Sequence, residues 1–271
     1  MKFANHSTPD PLVSKIGLMQ PLQWLGLAWR DMERAPWPGL VHGLLMALGA
    51  VAAVVFAHQR FWLLAGAFSG FLLVAPILAT GLYAISRALE QGHQPSLATV
   101  IAVWRSGDTR LVRFGVLLAL AGTGWVVTSA AVITAFSPTP ITTPLEFVQH
   151  VMLAQDSWLF EVWLMVGALM AAPVFASSVV AIPLLLDRPV TVRQAVLTSF
   201  RCVLTNPVPM ALWATLIMGF TLLGLGSLAL GLIAVVPMLG HASWHAYGDL
   251  IGAIDAAGDT PAARTEGASQ P

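Results

Sequence analysis

Charge is scarce in this chain. Its 271 residues include thirteen Lys or Arg and thirteen Asp or Glu, only 10% of the total, where a soluble domain carries about 25%. So few charges do not cover a water-soluble sphere, and a soluble globular class is excluded. The two signs cancel, which removes the net field that draws a protein to nucleic acid. A single cysteine, Cys202, excludes a disulfide framework and any CxxC metal site. No P-loop, nucleophile elbow, GxGxxG or His-Glu-x-x-His motif occurs, and no enzyme is expected. The first 35 residues lack a basic start followed by an apolar run and do not read as a signal peptide.

What the chain has is apolar length. Ala, Val, Ile, Leu, Met, Phe, Trp, Tyr and Cys make up 57%, and the mean hydropathy is +0.77. An integral membrane protein follows, all-α, because a helix satisfies its own backbone in lipid. Six spans are expected, at 38–57, 61–85, 111–136, 158–186, 208–226 and 228–248. The last two are separated on length. One helix over 208–248 would run ~60 Å at 1.5 Å per residue, about twice the hydrocarbon thickness. Gly224-Leu225-Gly226-Ser227 is the natural turn. Residues 1–20 and 251–271 flank a membrane domain at 21–250 and are expected to be mobile.

The basic residues orient the spans. With both termini in the cytoplasm, twelve of the thirteen Lys and Arg lie inside, and Arg60 alone lies outside. That is a positive-inside pattern.

The spans form a threefold pattern, over about 21–86, 96–188 and 191–248. Each unit opens with an amphipathic cytoplasmic helix that ends in an aromatic–Arg pair: Trp29-Arg30, Trp104-Arg105, Phe200-Arg201. The second carries Leu97, Val100, Ile101 and Trp104 on one face, with Ser96 as its N-cap and Ser106-Gly107 as its stop. The third begins with the capping-box spacing Thr191 to Gln194 and stops at Asn206-Pro207. Each unit then crosses out and back. The returning helix carries a proline, Pro76, Pro183 or Pro237, with a polar residue four later, Thr80, Asp187 or His241. Three matched kinks are expected, freeing the carbonyls of Leu72, Val179 and Ile233. Small residues at spacing four (Gly39, Gly43 and Ala47; Gly66 and Gly70; Ser227 and Gly231) mark faces for close helix contact. Ordinary membrane proline usage is the competing explanation of the pattern.

Several stretches together resemble a known family. They are Trp24-Leu25-Gly26-Leu27-Ala28-Trp29-Arg30-Asp31 with Pro36, Gly81-Leu82-Tyr83 with Ser86-Arg87-Ala88-Leu89-Glu90, Ile182-Pro183-Leu184-Leu185-Leu186-Asp187-Arg188, Asn206-Pro207, and Pro237-Met238-Leu239-Gly240-His241-Ala242-Ser243-Trp244-His245-Ala246-Tyr247. The chain resembles, over roughly 20–250, the bacterial integral membrane proteins of domain of unknown function 2189. The resemblance implies a bacterial inner-membrane location and brings no established activity. Some members carry a label as cytochrome c oxidase components. A haem–copper core needs more buried histidines than the three here that fall in spans, His42, His241 and His245. An accessory or assembly role, or one haem held by two histidines, stays open.

The candidate site lies at the cytoplasmic ends of spans two, four and six. Thr80, Asp187 and His241 share an offset from their prolines. Tyr83, Trp244 and His245 lie one turn further in, and Arg87 and Arg188 flank the entrance. Such a set suits a polar or cationic ligand or a proton. His241 and His245 share a helix face at a spacing that can ligate a metal, with His42 as a third candidate. The alternative is ordinary interfacial histidines bonded to loops, and no metal or other cofactor is assigned. Glu161 reads as a headgroup-level carboxylate one turn into span four.

Two functions compete. In one, a polar cytoplasm-facing vestibule binds or passes a small solute or lipid headgroup. In the other, the protein is a scaffold or assembly factor that contacts lipid and another membrane subunit. Few buried polar residues on spans one, three and five favour the second.

Overall fold

A computed structural model describes residues 12–57, 62, 66, 78–154 and 157–251, and every regular element among them is helical. In chain order these are α1 (Gln20–Arg34), α2 (Pro36–Ala57), α3 (Thr80–Glu90), α4 (Leu97–Arg105), α5 (Thr109–Phe136), α6 (Pro144–Phe147) with a π-helical turn (Val148–Met152), α7 (Leu159–Ser178), α8 (Ala181–Asp187), α9 (Val192–Thr205), α10 (Pro207–Gly226) and α11 (Leu232–Ile251). Four stretches among the described residues are long and apolar enough to cross a membrane: Pro36–Phe56, Thr109–Phe136, Leu159–Asp187 and Pro207–Gly226. They coincide with expected spans one, three, four and five. Most of span two, including Pro76, Gly70 and Leu72, lies outside the described residues. The stretch expected as span six is helical as α11 but is not among these four, and its His241, Ser243, His245 and Asp249 make it more polar than they are.

The expected turn between spans five and six forms one step later than the glycines suggested. α10 runs through Gly226, and the chain reverses over residues 227–231. Ser227 holds the reversal: its hydroxyl donates to the Gly224 carbonyl at 2.7 Å and accepts from the Gly231 amide at 2.7 Å. Leu228 and Ala229 take φ of 58° and 66°, a left-handed conformation that costs side-chain-bearing residues about 1–2 kcal/mol each.

The interfacial helices start and stop where their capping residues dictate. Ser96 and Thr99 form a capping box at the start of α4, which ends at Arg105. Thr191 and Gln194 do the same for α9, which ends at Asn206. On α4, Val100 is buried, while Leu97, Ile101 and Trp104 keep exposed apolar faces suited to lipid. α1 runs one turn past its aromatic–Arg pair, to Arg34, and turns Trp24, Ala28 and Asp31 inward onto α11. Leu12–Met19 has fixed partners. Ser14 N–H donates to the Leu250 carbonyl, and Asn206 bonds both the Ile16 amide and the Ser14 carbonyl.

α11 is the hub. It packs against α1, α2, α3 and α10. The stripe Gly39, Gly43, Ala47 on α2 seats on it. A Cβ at Gly39 would lie 3.2 Å from Pro237 Cβ, and one at Gly43 would fall on the Ile233 carbonyl oxygen. That carbonyl is the one Pro237 leaves without its helical donor. Gly43 packs against it, and α11 is continuous through Pro237. Pro183 behaves differently. The helix breaks at Val179 and Val180, and the Val180 amide turns to the Ser199 hydroxyl of α9 at 3.1 Å. The two prolines therefore differ: α11 runs on through Pro237, whereas the helix ahead of Pro183 breaks where the Val180 amide meets the Ser199 hydroxyl.

Candidate functional site

The ends of α1, α3 and α11 meet around a buried carboxylate. Asp31 is 5% exposed. Its Oδ2 accepts from the Ser86 hydroxyl at 2.7 Å and from His245 Nε2 at 2.9 Å. Ser86 Oγ also lies 2.7 Å from His241 Nδ1. A carboxylate has no proton to give, so the Ser86 hydrogen goes to Asp31 and the Ser86 lone pair accepts from His241 Nδ1–H. That assignment leaves His241 Nε2 unprotonated. His245 Nδ1 faces Glu90 at 3.6 Å. Burial opposes ionisation of Asp31, but hydrogen bonds from His245 and Ser86, with the neighbouring imidazoles, outweigh it and hold its carboxyl below the ordinary value.

A second cluster sits beside the first. Asp187 at the end of α8 accepts from Tyr247 Oη at 2.7 Å and pairs with Arg87 at 3.2 Å and Arg188 at 3.7 Å. Arg110 closes the neighbouring loop. Its guanidinium donates to the carbonyls of Leu185, Arg188 and Val190 while pairing with Asp108, the N-cap of α5.

The expected site residues thus divide. Asp187, Arg87 and Arg188 form one ionic cluster, and His241 and His245 belong to the other. Trp244 is buried with its ring 5.4 Å from Tyr247. Thr80 is buried at the start of α3, and Tyr83 faces the interior. Asp187 and His241, at equal offsets from their prolines, bond different partners, Tyr247 and Ser86. Glu161 is exposed in the first turn of α7. Among the described residues no group of three or more His, Cys, Asp or Glu side chains is placed to hold a metal. Sequence reasoning passed over Asp31 and Ser86. Each stood inside a quoted motif, but their pairing joins positions 55 residues apart, which spacing along one helix does not reveal.

An apolar cavity lies between α2, α3, α7, α8, α10 and α11, with a volume of about 260 Å³. Met46, Phe175, Ile182, Ile217, Leu232, Val235, Val236 and Leu239 supply most of its wall, and Tyr83, Ser178, Thr221 and Ser243 bring hydroxyls. No charged side chain lines it among the described residues.

Apolar helices of spanning length and a lipid-suited exterior define an integral membrane protein of the helical class. Residues 63–187 match the family described as predicted integral membrane protein (DUF2189), the family indicated by the sequence motifs. The match takes in the motifs at 81–90 and 182–187 and leaves out those at 24–31, 206–207 and 237–247. No curated protein and no solved structure matches the chain.

Proposed function

We propose that this non-catalytic membrane protein binds a small apolar or amphiphilic molecule in the cavity between its helices. It sits in a bacterial inner membrane as three hairpins with both termini cytoplasmic. The observation that carries the reading is the cavity itself, apolar in its wall with a few hydroxyls to orient a ligand. Its chemistry replaces the polar vestibule, because the charged groups expected to line one are consumed in pairs. Filling the space tests the reading. Thr221→Phe and Ile217→Trp should strip a co-purifying small molecule from the detergent-solubilised protein, as read by native mass spectrometry, without lowering its melting temperature. Equal ligand content in wild type and both folded variants would overturn it.

A scaffold or assembly role, including association with a respiratory oxidase, draws on a separate observation. The polar network joins α1, α3 and α11 and brings α8 to α11, as expected of a rigid platform. In-membrane crosslinking that captures one membrane subunit in stoichiometric yield, with the cavity variants unimpaired, would favour that role.

A further inference from the structure

Two imidazoles are buried with a ring nitrogen that has no hydrogen-bond partner among the described residues. His42 on α2 is 3% exposed and His241 on α11 is 0% exposed. The unpaired atom is Nε2 in both. An unsatisfied polar atom in an apolar interior costs about 1–3 kcal/mol, and native proteins leave few such atoms without a reason.

The other nitrogen of each ring is engaged. His241 Nδ1–H donates to Ser86, which donates to the Asp31 carboxylate. The Leu78 carbonyl lies in hydrogen-bonding reach of the His42 ring, and since Nε2 is unpaired, the nitrogen facing it is Nδ1. Metal-binding histidines have this outer arrangement: one nitrogen donates to a carboxylate or carbonyl, which fixes the tautomer and leaves the other lone pair for the ion.

The two rings lie on helices in direct contact and within electrostatic reach of each other. His241 Nε2 points at Gly39, one turn before His42, 3.5 Å from where a Cβ would stand. The His42 ring rests against Gly81, 3.3 Å from its Cβ position, with Trp104 at 5.3 Å between ring centroids. Glycine thus stands beside both imidazoles.

We propose that His42 and His241 hold a soft monovalent cation, copper(I), between their Nε2 atoms. No third protein ligand of the His, Cys, Asp or Glu type is placed with them among the described residues. Two neutral donors in an apolar setting disfavour a divalent ion, which keeps more ligands and brings more uncompensated charge. A d10 monovalent ion accepts two-coordinate binding by imidazoles and adds one charge, with Asp31 behind Ser86 to balance it.

The test uses the full chain in nanodiscs, with silver(I) as a redox-inert probe and copper(I) under anaerobic reduction against a chromophoric chelator. One ion per chain is expected, held through two nitrogen donors and no sulfur in X-ray absorption. His42→Gln and His241→Gln should each weaken retention at least about tenfold, and Ser86→Ala about tenfold through the outer bond. On 15N-labelled wild-type protein, silver(I) should shift two Nε2 resonances while both Nδ1–H signals persist. This measurement decides the matter even where a variant misfolds. Sulfur ligation, binding unaffected by both glutamine variants, or Nε2 resonances unmoved by the ion would each overturn the site.

Discussion

Asp31 shows how much one side chain can organise. It gathers Ser86 and His245 directly and His241 through Ser86, so three helices share its charge. Removing one partner from a buried charged network costs about 3–5 kcal/mol. Asp31→Asn keeps the volume but sets an amide N–H against donors. It should destabilise the detergent-solubilised protein by that order at pH 7. The pH dependence has a definite sign. The folded-state pKa of Asp31 is lowered, so its contribution is complete above the unfolded value of about 3.9 and is lost as pH falls through the folded value. Wild type should therefore lose stability steeply below about pH 4, and Asp31→Asn should lose less there. Parallel acid limbs in denaturant titrations of the two proteins would sink the assignment. The residue was visible in the sequence only as the neighbour of an aromatic–Arg pair. Its burial depends on α1 turning inward onto α11, a long-range contact that an amphipathic pattern within one helix does not specify.

Local chemistry made most of the elements legible. Ser96, Thr191 and Asn206 set helix ends through bonds or sterics confined to a few residues, and those ends match the sequence signals. The small-residue stripe on α2 was also legible, but its target was not. Gly43 seats on the carbonyl that Pro237 frees, a pairing between two distant helices. Gly43→Ala must push α2 off α11. It should cost about 1–3 kcal/mol and lower the melting temperature, and Gly43→Leu should abolish folding. Gly26 on α1 is the control, since nothing lies within 4 Å of its Cβ position. Gly26→Ala should be neutral or stabilise by about 0.4–1 kcal/mol. Equal effects of alanine at the two sites in thermal denaturation would contradict the contact. The two prolines teach the converse. Their sequence surroundings are alike, yet one helix breaks and the other does not, with Ser199 beside the break and Gly43 beside the continuous helix.

For the whole molecule, the charge that sequence places on one side is the charge that structure ties together. Asp31 with His245, Arg87 with Asp187, and Arg110 with Asp108 join the start of α5, the ends of α1, α3 and α8, and the last turns of α11. The opposite reversal, at residues 227–231, carries no charged side chain and leaves Leu228 and Leu230 exposed. α2 and α11 run antiparallel, since Gly39 meets Pro237 and His241 while Gly43 meets Ile233. The beginning of α2 and the end of α11 therefore lie on one side, the side with the ionic clusters. Positive charge resists translocation, and the proposed orientation therefore puts that side in the cytoplasm. Periplasmic reporters fused after Gln59, Thr139 and Gly226 should be active, and cytoplasmic reporters should be active after Gln91, Pro189 and Ala257. The fusions after Gln59 and Gln91 bracket the expected second span, so they test it independently of the other five. A periplasmic signal after Ala257 would remove the last crossing and leave five spans. Cytoplasmic signals after both Gln59 and Gln91 would show that residues 61–85 do not cross.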